Sequence, residues 1–142
     1  MKEVGRRLLW HGVALFALGL LSGLAMPAVR NARMGLAAHL EGVLNGIFLM
    51  VAGLIWQRLR LGVGQGRLLF SALLFGTYAN WATTLTAAVL GTSAMTPFAS
   101  AGFSAPAWQE RVVGVCFVSS GMALLLGVGL MLWGLRGSGS EA

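Results

Sequence analysis

The chain has 142 residues, of which 57% are hydrophobic, with four acidic residues against ten Lys and Arg, a net charge of +6 and a mean hydropathy of +0.80. So apolar and charge-poor a composition excludes an ordinary soluble domain and points to an integral membrane protein. The positive balance carries no nucleic-acid partner, because no basic face with interleaved aromatics stands outside the apolar segments. The single cysteine, Cys116, excludes an intrachain disulfide and reads as a packing residue.

A helix that crosses a bilayer needs about 20 mostly apolar residues, and four segments meet that need in chain order: 8–26, 34–56, 68–90 and 112–135. The expected fold is all-α, an integral membrane four-transmembrane-helix bundle in one membrane domain over 1–142. The first segment opens with Lys2, Arg6 and Arg7 and ends at Ala25-Met-Pro-Ala28. A cleaved signal peptide would look similar, but the proline beside the cut site and the long apolar run favour a retained helix. Pro27 ends this helix, and the turn to Arg33 makes segments one and two antiparallel neighbours.

The second segment carries His39, Glu41 and Asn45 within its first half. Ionisable groups at membrane depth are costly unless partnered, so this cluster is the expected functional site. At about 100° per residue, Glu41 and Asn45 share one face while His39 points about 120° away from Asn45. Two polar faces on one helix suggest a homo-oligomer with its site between subunits. Gly19 with Gly23, and Gly42 with Gly46, have helix-packing spacing. Ordinary packing suits the first pair, and the second pair is either packing or room for a flat ligand.

The connection Gln57 to Arg67 places Gly62, Gly64 and Gly66 at alternate positions and reads as a flexible cytoplasmic linker. The third segment adds Thr77, Tyr78, Asn80, Trp81 and Thr84, with Thr77, Asn80 and Thr84 on one stripe that must face protein or water. The connection 91–109, with Phe98, Phe103 and Trp108, suits an interfacial lid or a plain aromatic belt, and Pro106 opens the last helix. Trp10, Trp56, Trp108 and Trp133 lie at segment ends as anchors, and the tail 137–142 is expected to be disordered. Lys and Arg concentrate in the N-terminal segment, the second connection and the tail, so the positive-inside rule puts both termini in the cytoplasm. A bacterial inner membrane is the expected location.

His11 and His39 differ in depth by most of a core of about 30 Å, so they do not share one iron within a chain. The plain role for His11 is a bond to a backbone carbonyl. No Ser-His-acid set, HExxH or cysteine pair is present, which removes the usual hydrolases and zinc sites.

The runs Asn31-Ala-Arg-Met-Gly-Leu-Ala-Ala-His39-Leu-Glu-Gly-Val-Leu-Asn45-Gly46, Gly76-Thr-Tyr-Ala-Asn80-Trp81 and Ala107-Trp-Gln-Glu110 resemble those of the membrane-embedded hydroxylaminobenzene mutases. More distantly, His11-Gly12, Ala38-His39, Leu44-Asn45-Gly46 and Ala79-Asn80 are similar to motifs of styrene oxide isomerases. The resemblance implies an isomerase that needs no redox partner and converts a lipid-soluble arylhydroxylamine such as hydroxylaminobenzene to a 2-aminophenol. It also implies ferric haem b on His39 as Lewis acid, in a homotrimer where a neighbour's Asn45 contacts the substrate oxygen. Glu41, Asn45, Tyr78 and Asn80 are then the candidate catalytic residues, with Trp81 and Thr84 in the substrate pocket. The isomerases carry a tyrosine after the Ala-Asn, where this chain has Thr84 and Leu85, which favours the mutase. The alternatives are an epoxide isomerase that yields an aldehyde, and a non-enzymatic haem-binding membrane subunit.

Overall fold

The computed structural model describes residues 2–136, so the tail expected to be disordered lies outside the described residues. Four long helices account for most of the chain: α1 (Lys2–Ala25), α2 (Ala32–Ile55), α3 (Val63–Leu90) and α4 (Ala107–Leu135). Short 3-10 turns follow α1 and α2 at Met26–Ala28 and Trp56–Arg58, and no strand occurs among the described residues. α1, α2 and α4 are long and apolar enough to cross a membrane. At 28 residues α3 is also long enough to span, but its Ser, Thr, Asn and Tyr side chains lower its hydropathy and set it apart.

Each helix runs antiparallel to the next. Along the α1–α2 seam Gly5 faces Gly53, Gly12 faces Gly46 and Gly19 faces Gly42, so the two backbones touch with no side chain between them. A Cβ added at Gly46 would lie 2.6 Å from the Phe16 nitrogen, which explains why glycine occupies the position. The Gly42 and Gly46 pair is therefore filled by α1 and leaves no slot for a flat ligand in this chain. Across the α3–α4 seam, Gly76 receives Leu124 and Gly127 receives Leu73.

Two apolar clusters hold the helices. One lies toward the end that holds the start of α1 and the α2–α3 connection, with Leu8, Leu15, Leu49, Trp56, Leu69, Leu73 and Met131; the other joins Met34, Ala87, Ala88 and Val113 at the opposite end. Trp10, Trp108 and Trp133 are exposed, as anchors would be, whereas Trp56 is only 6% exposed and belongs to the core. The expected glycine linker is also different. Gly64 and Gly66 lie inside the first turn of α3, whose start is secured by the Gln65 side chain accepting from the Gly62 N–H at 3.0 Å.

At the opposite end, Asn31 caps α2 by accepting from the N–H groups of Arg33 and Met34 at 3.1 and 3.3 Å. The same buried side chain donates to the Ala99 carbonyl and the Ser100 hydroxyl, each at 3.2 Å, and so fixes the α3–α4 connection. Gly91, with φ of 72°, gives α3 a left-handed cap, and Arg30 donates to the Leu90 carbonyl at 2.8 Å. Glu110 holds the other half of the connection by accepting from the N–H groups of Ser93 and Ala94. The connection is thus tied at both ends.

Candidate active site

Glu41 and Asn45 lie one turn apart on α2 and point into the α2–α3 seam. Asn45 Nδ2 donates to Glu41 Oε2 at 3.2 Å and approaches the Thr77 carbonyl at 3.4 Å. From α3, Asn80 Nδ2 donates to the same Glu41 oxygen. Two carboxamides therefore converge on one carboxylate oxygen, and Glu41 Oε1 has no hydrogen-bond partner among the described residues. Such a group, half-buried and partly satisfied, can exchange a proton with a ligand without leaving its place. The threonines of the expected stripe turn inward: Thr77 donates to the Leu73 carbonyl at 2.7 Å and Thr84 to the Asn80 carbonyl at 2.9 Å. Both hydroxyls are spent within α3, and both residues are buried.

His39 occupies the other side of α2, against α1. Its Nδ1 lies 2.9 Å from the Gly19 carbonyl, so Nδ1 carries the N–H of that bond and Nε2 is the ring nitrogen turned away from it. The ring fills a notch made by Gly23, where a Cβ would come within 2.7 Å of Nδ1. That arrangement is the one in which a ligating histidine is usually held, its second nitrogen bonded to a backbone carbonyl. No group of three or more His, Cys, Asp or Glu side chains gathers among the described residues. A lone histidine suits a prosthetic group that brings its own remaining donors.

Tyr78 and Trp81 serve the α1–α3 seam. The Tyr78 hydroxyl donates to the His11 carbonyl at 3.2 Å and lies 3.3 Å from His11 Nδ1. The His11 ring therefore bonds a hydroxyl, while the carbonyl bond expected of it is made by His39. Trp81 Nε1 donates to Ser22 Oγ at 3.0 Å, and its ring edge lies against Gly42. Glu41, Asn45 and Asn80 thus come together, while Tyr78 stands about 200° round α3 from Asn80.

Sequence reasoning passed over Gly19, Ser22 and Gly23 as partners of the site. Ser22 carried a usable signal, a hydroxyl within an otherwise apolar run. The Gly19 carbonyl carried none, since backbone acceptors leave no mark in a side-chain pattern.

The model of the styrene oxide isomerase family matches residues 4–136. Hydroxylaminobenzene mutase HabB of Ectopseudomonas oleovorans is 46% identical over 134 residues, covering 94% of this chain and 82% of that protein. Hydroxylaminobenzene mutase HabA of the same organism is 43% identical over 103 residues, covering 72% of this chain and 76% of that one. No solved structure matches the chain significantly. With its polar cluster on the α2–α3 seam and a match over nearly its full length, the chain belongs to the styrene oxide isomerase family together with the hydroxylaminobenzene mutases, and it is an isomerase.

Proposed function

We propose that the protein is a hydroxylaminobenzene mutase that moves the N-hydroxyl of an arylhydroxylamine to the ortho ring carbon and yields a 2-aminophenol. The observation that carries this reading is the Glu41 carboxylate held by Asn45 and Asn80 with one oxygen left open. In the reaction the N–O bond breaks with its electron pair going to oxygen, and the ring takes up the positive charge. Oxygen then joins the ortho carbon, and the ortho hydrogen ends on nitrogen. Substrate and product have the same atoms, so no electron donor or acceptor is needed.

Glu41 lends the proton that lets the oxygen depart and takes it back once the oxygen is on the ring. It next passes that proton to nitrogen and, as the carboxylate, takes the ortho proton from the ring carbon, ending protonated as it began. Asn45 and Asn80 fix the carboxylate and offer their amide oxygens to the substrate N–H. The apolar surroundings limit capture of the charged ring by bulk water.

His39 is the residue that would hold a haem, through Nε2, with Gly19 fixing the tautomer. When bound, ferric haem b supplies a Lewis acid for the hydroxylamine oxygen. In one chain His39 and Glu41 flank opposite sides of an exposed stripe on α2, formed by Leu40, Leu44, Ile47 and Val51. A cyclic homotrimer would set the His39 side of one subunit against the Glu41 side of the next, completing a site between them. All four helices cross the membrane in this reading, with both termini in the cytoplasm of a bacterial cell.

The test is to incubate the purified protein with hydroxylaminobenzene, and separately with styrene oxide, and identify the products. Formation of 2-aminophenol is the expected result. An aldehyde from the epoxide with no aminophenol would assign the epoxide isomerase activity instead. A visible spectrum of wild type beside His39→Ala tests the haem: a Soret band present in the first and absent in the second is expected.

A further inference from the structure

A cavity of about 590 Å³ opens at the end of the molecule far from His39, between the start of α1, the α2–α3 connection and the first turns of α3. Its walls are apolar, from Val4, Trp56, Leu61, Val63 and Phe70, and Arg7 and Arg67 stand among its lining residues. No acidic side chain lines it. The Arg7 guanidinium stacks over the Phe70 ring, 4.8 Å from its centroid, which holds the charge beside the apolar wall. Both arginines are exposed, while Trp56 is buried in the floor. The volume is that of a small-molecule site, and no residue of the Glu41, Asn45 and Asn80 cluster takes part in it.

Two cations beside an apolar slot select a ligand with an anionic head and a hydrocarbon body. The cavity lies at the arginine-rich end, which also carries Arg6, Arg58, Arg60 and Arg136. In a membrane protein such basic pockets at the positive face are where anionic headgroups gather. We propose that this cavity is a binding site for an anionic phospholipid, with the headgroup phosphate between Arg7 and Arg67 and an acyl chain against Val63, Leu61 and Phe70. An anchored lipid would tie α1 to α3, which otherwise meet mainly through side chains deeper in the core.

Native mass spectrometry of the full chain in mild detergent, titrated with phosphatidylglycerol or with phosphatidylcholine, tests the site. One phosphatidylglycerol per chain, bound saturably and in preference to phosphatidylcholine, is expected. The double substitution Arg7→Gln with Arg67→Gln should weaken it by about tenfold or more, whereas Arg136→Gln should change it by less than about twofold. Gly66→Leu keeps every charge and fills the slot, since a Cβ there meets only Trp56, at 3.9 Å. It should also abolish the preference, and it decides the matter if the double variant does not fold. Equal binding of the two lipids, wild-type binding by Gly66→Leu, or an equal loss in Arg136→Gln would overturn the proposal. So would displacement of the lipid by inorganic phosphate, which would make the ligand a free anion.

Discussion

Glu41 takes both of its carboxamide bonds through Oε2, and that asymmetry makes its proposed proton transfer testable by an isosteric change. Glu41→Gln keeps the size and still bonds its neighbours, but it neither lends nor accepts a proton. It should lower turnover by about 10²-fold or more while leaving KM within about threefold, measured by the rate of aminophenol formation. Tyr78 should behave differently, because its hydroxyl is committed to His11. Tyr78→Phe is expected to keep turnover within about twofold and to cost about 1 kcal/mol of stability, read from thermal unfolding in detergent. Loss of turnover in Tyr78→Phe would return the phenol to the chemistry.

At the scale of the helices, the α1–α2 pair depends on backbone contact, so its glycines differ sharply from Gly121 and Gly129 of α4. Gly46→Ala forces a methyl group to within 2.6 Å of the Phe16 nitrogen, whereas a Cβ at Gly121 or Gly129 meets nothing within 4 Å. We expect Gly46→Ala to destabilise the protein by about 1–3 kcal/mol and Gly121→Ala to be neutral, compared by unfolding in the same detergent. Gly23→Ala is the more selective change, because it strikes the His39 ring and not the α2 backbone. The helices themselves were legible from hydropathy alone, and the polar residues of α2 and α3 stood out against it. Their starts were less so: Val63, Gly64 and Gly66 look like linker residues, and only the Gln65 side chain bond reveals a helix beginning there. Helical spacing put Glu41 and Asn45 on one face, but Asn80 and Tyr78 were joined to them only through the family resemblance. The separation of Tyr78 from the other three required knowing which seam each face of α3 meets.

For the whole molecule, a site shared between subunits makes a sharp prediction. His39→Ala and Glu41→Gln would each disable every site in a homotrimer, yet a subunit with intact His39 beside one with intact Glu41 would rebuild a site. Co-expression of the two variants in equal amounts should therefore recover about a quarter of wild-type activity. No recovery in co-assembled, size-verified oligomers would place the whole site within one chain. The length and apolar character that define the molecule were plain in the sequence. What covers the exposed Leu40, Leu44 and Ile47 was not, since they look the same whether lipid or protein lies against them.

Gly19 has two duties that are easily seen apart and matter most together. It lets α2 approach through Gly42, and its carbonyl receives His39 Nδ1. A slip of α1 along α2 by one turn, about 5.4 Å, would leave the imidazole without its acceptor and free it to change tautomer. The choice of which ring nitrogen faces outward is thereby set by the register of two helices, so the fold acts as a gauge in which a sliding error anywhere along the glycine seam is read out at the imidazole.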